Sequence, residues 1–189
     1  MRTVSHDIRN AFSFKSWTLE KASSRFDLSR IDCGDSDLND YFRNDAVHFR
    51  EELLTQTYVF HDNEDDEIYA VIDFCNDALP RERMTGGQRR KISHKKRGFD
   101  TFPAVKITRL GVCREFQGKK IGSVLLEAVK HFFLADNRTG CRFITVDAYR
   151  NAVGFYERND FARMLTKETE DPNAPTIPLF FDLKRLIVK

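Results

Sequence analysis

The sequence predicts an α/β fold organised around one strand–helix crossover. A β-rich segment, AVKITRLGVC, runs through a short turn into a segment with helical apolar spacing. Further β-rich segments lie on both sides of this unit, TQTYVFH and IYAVIDFC before it, CRFITVDAY and TIPLFFDLKRL after it. The 189 residues contain no internal repeat and no sharp change of composition. We therefore expect a single domain over residues 1–189.

Bulk composition argues against several classes of protein. A hydrophobic fraction of 41% and 17 Phe are typical of a packed globular chain rather than a disordered one. No run of eighteen apolar residues is present, so no membrane span is expected. The segment MRTVSHDIRNAFSF lacks the apolar core of a secretory signal, and we expect a cytoplasmic protein. The four cysteines lie far apart, without CxxC spacing or matching histidines, so reduced thiols and no metal site are expected.

The first third of the chain is expected to hold a strand, a helix and a hairpin. A strand is predicted around Phe12 to Leu19. The segment CGDSDLNDYFRNDAVHFREELL places apolar residues at helical spacing, and Asp35 or Ser36 supplies an N-cap. The acidic turn DNEDDE separates TQTYVFH from IYAVIDFC, a pattern that predicts a β-hairpin.

Residues 77–102 interrupt the pattern of regular elements. Pro80, the Gly86–Gly87 pair and Gly98 predict a long exposed loop inserted at about 77–102. Residues 81–98 carry eight Lys or Arg against one Glu, although the whole chain has a net charge of only +2. Such a cluster is typical of a surface that contacts phosphate backbones, and also of a solvated loop with no partner.

In the central strand AVKITRLGVC, the alternation of apolar and polar residues is interrupted. Val105 and Ile107 share one face, whereas Leu110 and Val112 have the opposite parity. A slip of one residue turns every later side chain to the other face unless an extra residue absorbs it. The pattern therefore predicts a β-bulge near Thr108 to Leu110.

The turn QGKKIG joins this strand to a helix expected from about Lys119 to Ala135. A helix N-terminus offers unpaired N–H groups and the positive end of a dipole, which together bind an anion such as phosphate. Gly118 lets a ligand approach the backbone closely. Lys119 and Lys120 oppose the helix dipole by about 0.3–1 kcal/mol each, which a bound anion would offset. An ordinary turn with surface lysines is the alternative.

These segments carry a resemblance to a known family. The order TRLGVCREFQGKKIGSVLLEAV, a strand, then DAYRNAVGFYERNDF is similar to the GNAT superfamily of N-acetyltransferases. The cofactor turn of that family, Gln/Arg-x-x-Gly-x-Gly/Ala, reads here from Gln117 to Gly122, with Lys120 at the first motif glycine. GFYERNDF resembles the family's FYxxxGF, with Asp160 in place of glycine. The resemblance implies a mixed, mostly antiparallel sheet flanked by helices, whose bulged central strand splays from its parallel neighbour.

The resemblance also implies acetyl-CoA as the cofactor and a set of site residues. Tyr156 matches the family's tyrosine that protonates the leaving thiolate as general acid. For the base, Asp73 is a candidate acting through water, Asp147 is another, and a chain of solvent molecules is a third. The residues implied to hold the cofactor are Leu110, Gly111, Val112, Gln117, Gly118, Lys119, Lys120, Ile121, Gly122, Ser123, Asn151 and Phe155.

The acceptor of the acetyl group has several candidates. The broad expectation is a primary amine of a small molecule, peptide or protein, which attacks the acetyl group directly in a ternary complex. The segments FDLSRIDCGDSDLNDYFRNDA and PAVKITRLGV resemble the branch that contains tRNA-acetylating toxins of toxin–antitoxin pairs. That resemblance implies aminoacyl-tRNA as acceptor and an antitoxin partner. The charge of the basic loop 81–98 favours a contact with tRNA through this loop. The wider family resemblance implies a homodimer. A non-catalytic module that binds nucleic acid or CoA is the alternative of another class.

Overall fold

The structure of the chain is a computed structural model that describes residues 11–13, 16–92, 100–135, 137 and 139–187. The described residues form two compact units. The first unit draws on Met1–Cys75 and Thr108–Asp136, and the second on Asn76–Ile107 and Asn137–Lys189. Each unit is therefore assembled from two separate stretches of the chain.

The first unit contains an antiparallel array of strands. β1 (Ala11–Ser13) pairs with β2 (Trp17–Lys21), and β2 pairs with β3 (Gln56–Asp62). β3 forms the predicted hairpin with the first part of β4 (Ile68–Pro80). The register of this hairpin places Thr57 opposite Asp73 and shifts between Phe60 and His61. The single strand predicted near the N-terminus is thus replaced by two strands, β1 and β2.

The helical segment of this unit has a π-turn at its centre. α1 (Ser36–Asp40) leads into a π-helical turn (Tyr41–Asp45) and then into α2 (Ala46–Glu51). The predicted N-cap is confirmed, because the Leu38 amide donates to the Asp35 carboxylate over 3.0 Å. Tyr41, Phe42 and Ala46 bury one face of the segment in an apolar cluster that also contains Val59 of β3 and Val71 of β4.

The second unit contains the parallel strand pair. Residues Ala104–Ile107 of β5 (Thr101–Val112) pair in parallel with Phe143–Val146 of β6 (Phe143–Tyr149). β6 pairs antiparallel with β8 (Thr176–Asp182) along its length, and β8 with the short β7 (Ala162–Arg163). The predicted mixed, mostly antiparallel α/β fold is confirmed. The β5–β6 pairing ends at Ile107, although both strands continue beyond it.

The prediction of an uninterrupted loop over 77–102 is wrong. β4 extends to Pro80, a 3₁₀ turn covers Arg81–Arg83, α3 covers Gly86–Arg90, and β5 already begins at Thr101. The Arg81 amide donates to the Asp100 carbonyl over 2.8 Å, which joins the two strand ends. The Gly pair begins a helix because Thr85 and Gln88 form a capping box around it. The remainder of the predicted loop, 93–99, lies outside the described residues.

The remaining helices are α4 (Ile121–Ala135), α5 (Val153–Arg158) and α6 (Lys167–Glu170). The predicted stripe of α4 is shifted slightly, since Leu126 is buried while Val124 remains 37% exposed. Leu125 and Val129 are buried as expected. None of the described helices is both long and apolar enough to span a membrane.

Candidate functional site

The backbone conformation of the turn between β5 and α4 is suited to binding an anion. Gly118 and Lys120 both have positive φ, +74° and +64°, and α4 begins at Ile121. The amides of Ser123 and Val124 donate to the Lys120 carbonyl. Within the described part of the chain, the amides of Lys120, Ile121 and Gly122 have no hydrogen-bond partner. Three free donors therefore stand at the positive end of a fifteen-residue helix.

The helix start differs from the prediction in one respect. Lys120 was expected to be the second residue of α4, but the helix starts after it, because a left-handed residue cannot continue a right-handed helix. Such a backbone conformation costs a residue with a Cβ about 1–2 kcal/mol, whereas glycine adopts it freely. Lys120 thus adopts a backbone conformation that favours glycine, and its side chain is exposed.

The side chain of Gln117, an exposed residue, holds the turn in place. Its side-chain amide donates to the Cys33 carbonyl over 2.8 Å and to the Val112 carbonyl over 3.0 Å. Both bonds anchor the turn to its surroundings, to the end of β5 and to the segment that precedes α1. Gln117 therefore shapes the anion site, and its side-chain nitrogen is already engaged by these two carbonyls.

The end of β5 is packed so tightly that only glycine fits at residue 111. A Cβ on Gly111 would lie 2.3 Å from Cys33 Sγ and 3.0 Å from Leu38 Cδ2. The same contact shields the thiol, and burial raises the pKa of Cys33 to about 12. Cys33 is therefore a neutral packing residue. The α1 segment covers this face of β5 next to Leu110 and Val112.

Tyr156 lies in the second unit, on α5. Its ring contacts Phe155 and Phe161 at centroid distances of 5.1 and 5.4 Å, and the residue is 6% exposed. Burial raises the pKa of Tyr156, so its hydroxyl keeps the proton at neutral pH. A protonated phenol is the form that a general acid requires. Asn151 is exposed in the turn before α5, and Phe155 is half-buried.

The two candidate bases have very different surroundings. Asp147 is half-exposed on β6, and its carboxylate is already paired with Lys106. Asp73 is completely buried on β4, where one carboxylate oxygen accepts a hydrogen bond from the Tyr41 hydroxyl. The other oxygen, Oδ1, has no partner among the described residues. A buried carboxylate with an open acceptor position is the better placed to take a proton.

Two residues near Asp73 were missed from the sequence. Tyr41 was assigned only to an apolar helical stripe, which hid the role of its hydroxyl. Arg109 stands at the phase slip of β5, and its guanidinium carbon lies 4.9 Å from the centre of the Tyr41 ring. Its Nη1 donates to the Thr108 carbonyl, while its buried Nε has no partner in the part of the chain that the structure describes. The change in parity of the apolar residues near Arg109 was the sequence signal that could have identified this residue.

A cavity of about 720 Å³ also opens in the first unit. Three arginines line it, but so do five carboxylates. This balance does not favour an anion, so the free amides of the β5–α4 turn remain the candidate anion site. Among the described residues, no cluster of His, Cys, Asp or Glu could hold a metal ion.

A family model of the acetyltransferase (GNAT) domain matches residues 48–181. The chain belongs to the GNAT acetyltransferase family. This match confirms the predicted family and, with it, the predicted N-acetyltransferase class. It also contains the β5–α4 turn, Asp73 and Tyr156.

Several solved structures, among them structures of the AtaT toxin, share this GNAT fold. A tyrosine-to-phenylalanine variant of KacT is 20% identical, with 92% of this chain and 98% of that chain covered and a TM-score of 0.73. AtaT complexed with acetyl-methionyl-tRNAfMet is 21% identical over 90% and 97%, with a TM-score of 0.72. A tyrosine-to-phenylalanine variant of the AtaT toxin, bound to the C-terminus of the antitoxin AtaR and acetyl-CoA, is 20% identical over 93% and 100%, with a TM-score of 0.67. At these identities the likeness establishes the fold.

Proposed function

We propose that this chain transfers an acetyl group from acetyl-CoA to a primary amine. The observation that carries the proposal is the turn of the GNAT motif, with its three free amides at the start of α4. Those amides fit a pyrophosphate, and the Lys120 charge adds to the attraction. When bound, acetyl-CoA supplies the acetyl group as an activated thioester. Aminolysis then requires a proton acceptor for the amine and a proton donor for the thiolate.

Two residues of the chain suit these proton transfers. Asp73 is the proton acceptor, because its buried carboxylate has an unfilled acceptor position. Tyr156 is the proton donor, because it stands at the tyrosine of the GFYERNDF motif and its hydroxyl carries a proton at neutral pH. Each of these two roles is tested separately.

The test of the donor is the Tyr156→Phe variant, which keeps the ring and removes only the hydroxyl. We expect turnover to fall by about 10²–10⁴-fold, the usual size of a general-acid contribution, with little change in CoA affinity. Turnover is measured by release of the CoA thiol, and affinity by calorimetry.

Tyr149→Phe is the matched control, since Tyr149 is 54% exposed and its hydroxyl serves no proposed step. A Tyr156→Phe variant as active as the natural chain would exclude Tyr156 as the acid. Absence of any CoA binding to the natural chain would exclude the acetyltransferase itself.

For the acceptor, we propose the α-amine of aminoacyl-tRNA. The fold likeness to AtaT in complex with acetyl-methionyl-tRNAfMet supports this choice. An exposed basic group points the same way, because such residues bind phosphate backbones. It consists of Arg81, Arg83, Arg89, Arg90 and Lys91. A small antitoxin partner belongs to the same proposal, supported by the likeness to the AtaT–AtaR complex.

The acceptor is identified by offering radiolabelled acetyl-CoA with three kinds of probe. These are aminoacylated total tRNA, the same tRNA without amino acids, and small amines such as glycinamide. Uncharged tRNA is the matched control, since it has the same phosphates and lacks the amine. We expect strong label on the aminoacylated tRNA, weak label on the small amines and none on the uncharged tRNA. Label on small amines but not on tRNA would overturn the proposal of tRNA as acceptor and leave the proposal of acetyltransferase activity in place.

A further inference from the structure

We propose that the Tyr41 hydroxyl, backed by Asp73, accepts the proton of the attacking amine. The inference rests on the proposed acetyltransferase function and adds a catalytic residue to it. Tyr41 would contact the amine, while the deeper Asp73 would receive the proton that Tyr41 passes on. All groups involved lie in the first unit.

The pair is built for proton transfer and is closed to bulk water. Tyr41 is 7% exposed and Asp73 is 0% exposed. The Tyr41 hydroxyl donates to Asp73 Oδ2, which fixes the direction of the bond. Thr57 stands opposite Asp73 in the β3–β4 register and is also completely buried. A substrate amine that cannot enter as far as Asp73 therefore needs Tyr41 as an intermediary.

Packing places Tyr41 beside the cofactor strand. Leu38 Cδ2 on α1 lies 3.0 Å from the position that a Cβ of Gly111 would take, and Tyr41 follows Leu38 by about one helical turn. The Arg109 guanidinium stacks on the Tyr41 ring, so Arg109 and Gly111 both face the α1–α2 segment. Leu110, which lies between them, is one of the residues implied to hold the cofactor. The Tyr41 hydroxyl thus belongs to the side of β5 that α1 covers.

Unsatisfied polar atoms concentrate at the same place. Thr57 Oγ1, Asp73 Oδ1 and Arg109 Nε are buried, and none has a partner among the described residues. Buried polar atoms in folded proteins are normally paired, so such a concentration is expected where a ligand or reactant supplies the missing partner. The π-turn that begins at Tyr41 is a second sign, because π-turns inside helices are often found at functional sites.

The chemistry explains why the residues act together. Burial, followed by the hydrogen bond to Asp73, raises the pKa of Tyr41, so the hydroxyl does not ionise on its own. Before the attack, the ammonium form of the amine gives one proton to Tyr41 Oη, and the proton of Tyr41 moves to Asp73 Oδ2 at the same time. The neutral amine nitrogen then bonds to the acetyl carbon and the carbon–sulfur bond breaks. The departing thiolate takes up one proton, which balances the second proton lost by the nitrogen. The charged groups bearing on the hydroxyl are Asp73 and Arg109.

The test is the pH dependence of the Tyr41→Phe variant, with acetyl-CoA and aminoacylated total tRNA or glycinamide as probes. An α-amine has a pKa of about 8, so it needs a base at about pH 6.5 and is already neutral at about pH 9. We expect a loss of kcat/KM of about 10²-fold at the lower pH that shrinks several-fold at the higher pH. A purely structural role would give a loss that does not change with pH.

Asp73→Asn is the second variant and guards against misfolding, because the amide oxygen can still accept from Tyr41 but cannot take up a proton. It should show the same pH-dependent loss. Tyr69→Phe is the matched control, since it removes a tyrosine–carboxylate hydrogen bond to Asp62 elsewhere in the unit. It should retain the natural rate at both pH values.

Calorimetric CoA affinity and thermal unfolding show whether each variant still binds CoA and folds. The turnover data then distinguish failure of the proton transfer from failure of the proposed acetyltransferase function. Suppose that the natural chain is active and that the loss in Tyr41→Phe does not change with pH, or that Asp73→Asn loses no activity. Either result overturns the proton transfer through Tyr41 to Asp73 and leaves the acetyltransferase proposal standing. A natural chain that acetylates neither probe overturns the proposed acceptors together with the relay.

Discussion

At the scale of single residues, Lys120 separates the shape of the cofactor turn from its charge. Its backbone has φ of +64°, a conformation that favours glycine, while its exposed side chain adds a positive charge to the turn. Shape and charge make opposite demands on this position. The strain lowers the stability of the free protein, and the charge strengthens the attraction for a pyrophosphate.

Lys120→Gly should therefore stabilise the free chain and weaken CoA binding. We expect the unfolding midpoint to rise by about 2–4 °C for each kcal/mol of strain removed. CoA affinity should fall several-fold in Lys120→Gly and in Lys120→Ala alike, because both lack the charge. Thermal unfolding and calorimetry measure the two effects. Tighter CoA binding by Lys120→Gly would show that the lysine side chain contributes nothing.

Asp160→Gly is the matched control for this experiment. Asp160 also has a positive φ, +68°, and it too stands where the family motif has glycine. This variant should gain stability in the same way and leave CoA affinity unchanged. A fall in CoA affinity in the control would mean that relief of strain, rather than loss of charge, alters binding.

At the scale of elements, the capped helix α3 presents part of the basic group. The capping box of Thr85 and Gln88 fixes the helix start, and Arg89, Arg90 and Lys91 follow on exposed positions. Arg89→Gln with Arg90→Gln removes two charges with little loss of helix propensity. For aminoacyl-tRNA we expect KM to rise and the slope of log KM against log salt to fall by about 2.

The same double variant should acetylate glycinamide at the natural rate, since a small amine has no phosphate backbone. Lys167→Gln with Lys184→Gln makes the same change of charge at exposed positions of the second unit and should leave tRNA kinetics as they were. Equal losses in both double variants would point to net charge rather than to α3.

Elements with strong local signals were predictable from the sequence. The β3–β4 hairpin follows from alternating apolar residues around an acidic turn, and α4 from its long apolar stripe. The ends of β4 and β5 were not predictable, because the bond between Arg81 and Asp100 joins residues far apart in sequence. The π-turn at Tyr41 leaves no mark in the apolar spacing. The β-bulge near Thr108 to Leu110 stays a prediction.

The candidate site likewise contains residues that the sequence could predict and residues that it could not. The β5–α4 turn and Tyr156 were recognisable because their residues stand at fixed spacing in short motifs. Tyr41 and Arg109 reach Asp73 only through tertiary packing, so spacing alone could not reveal them. Asp73 was singled out among several acidic residues, but its complete burial is known only from the fold.

At the scale of the whole molecule, acid stability should depend on carboxylates held by local hydrogen bonds. The Tyr69 hydroxyl, and then the Glu64 amide, hold the pKa of Asp62 below its usual value of 3.8. A lowered folded pKa stabilises the protein above that usual value, and the contribution is lost as pH falls through the folded pKa.

Asp62→Asn should therefore unfold more easily at neutral pH and lose less of its stability between about pH 5 and pH 2 than the natural chain. Thermal unfolding across that range checks the difference. Glu64→Gln is a suitable comparison, because it changes a neighbouring carboxylate and keeps the Glu64 backbone amide. Parallel curves for Asp62→Asn and the natural chain would contradict the assignment.

The three free amides at the start of α4 also bear on how such proteins diverge. Main-chain donors remain in place whatever side chain a residue carries, provided that the dihedral angles are kept. A search pattern that demands glycine at residue 120 would reject this chain, although its backbone there has the positive φ that glycine adopts freely. Homologues with altered turns are therefore better recognised by backbone dihedral angles than by residue identity at the motif positions.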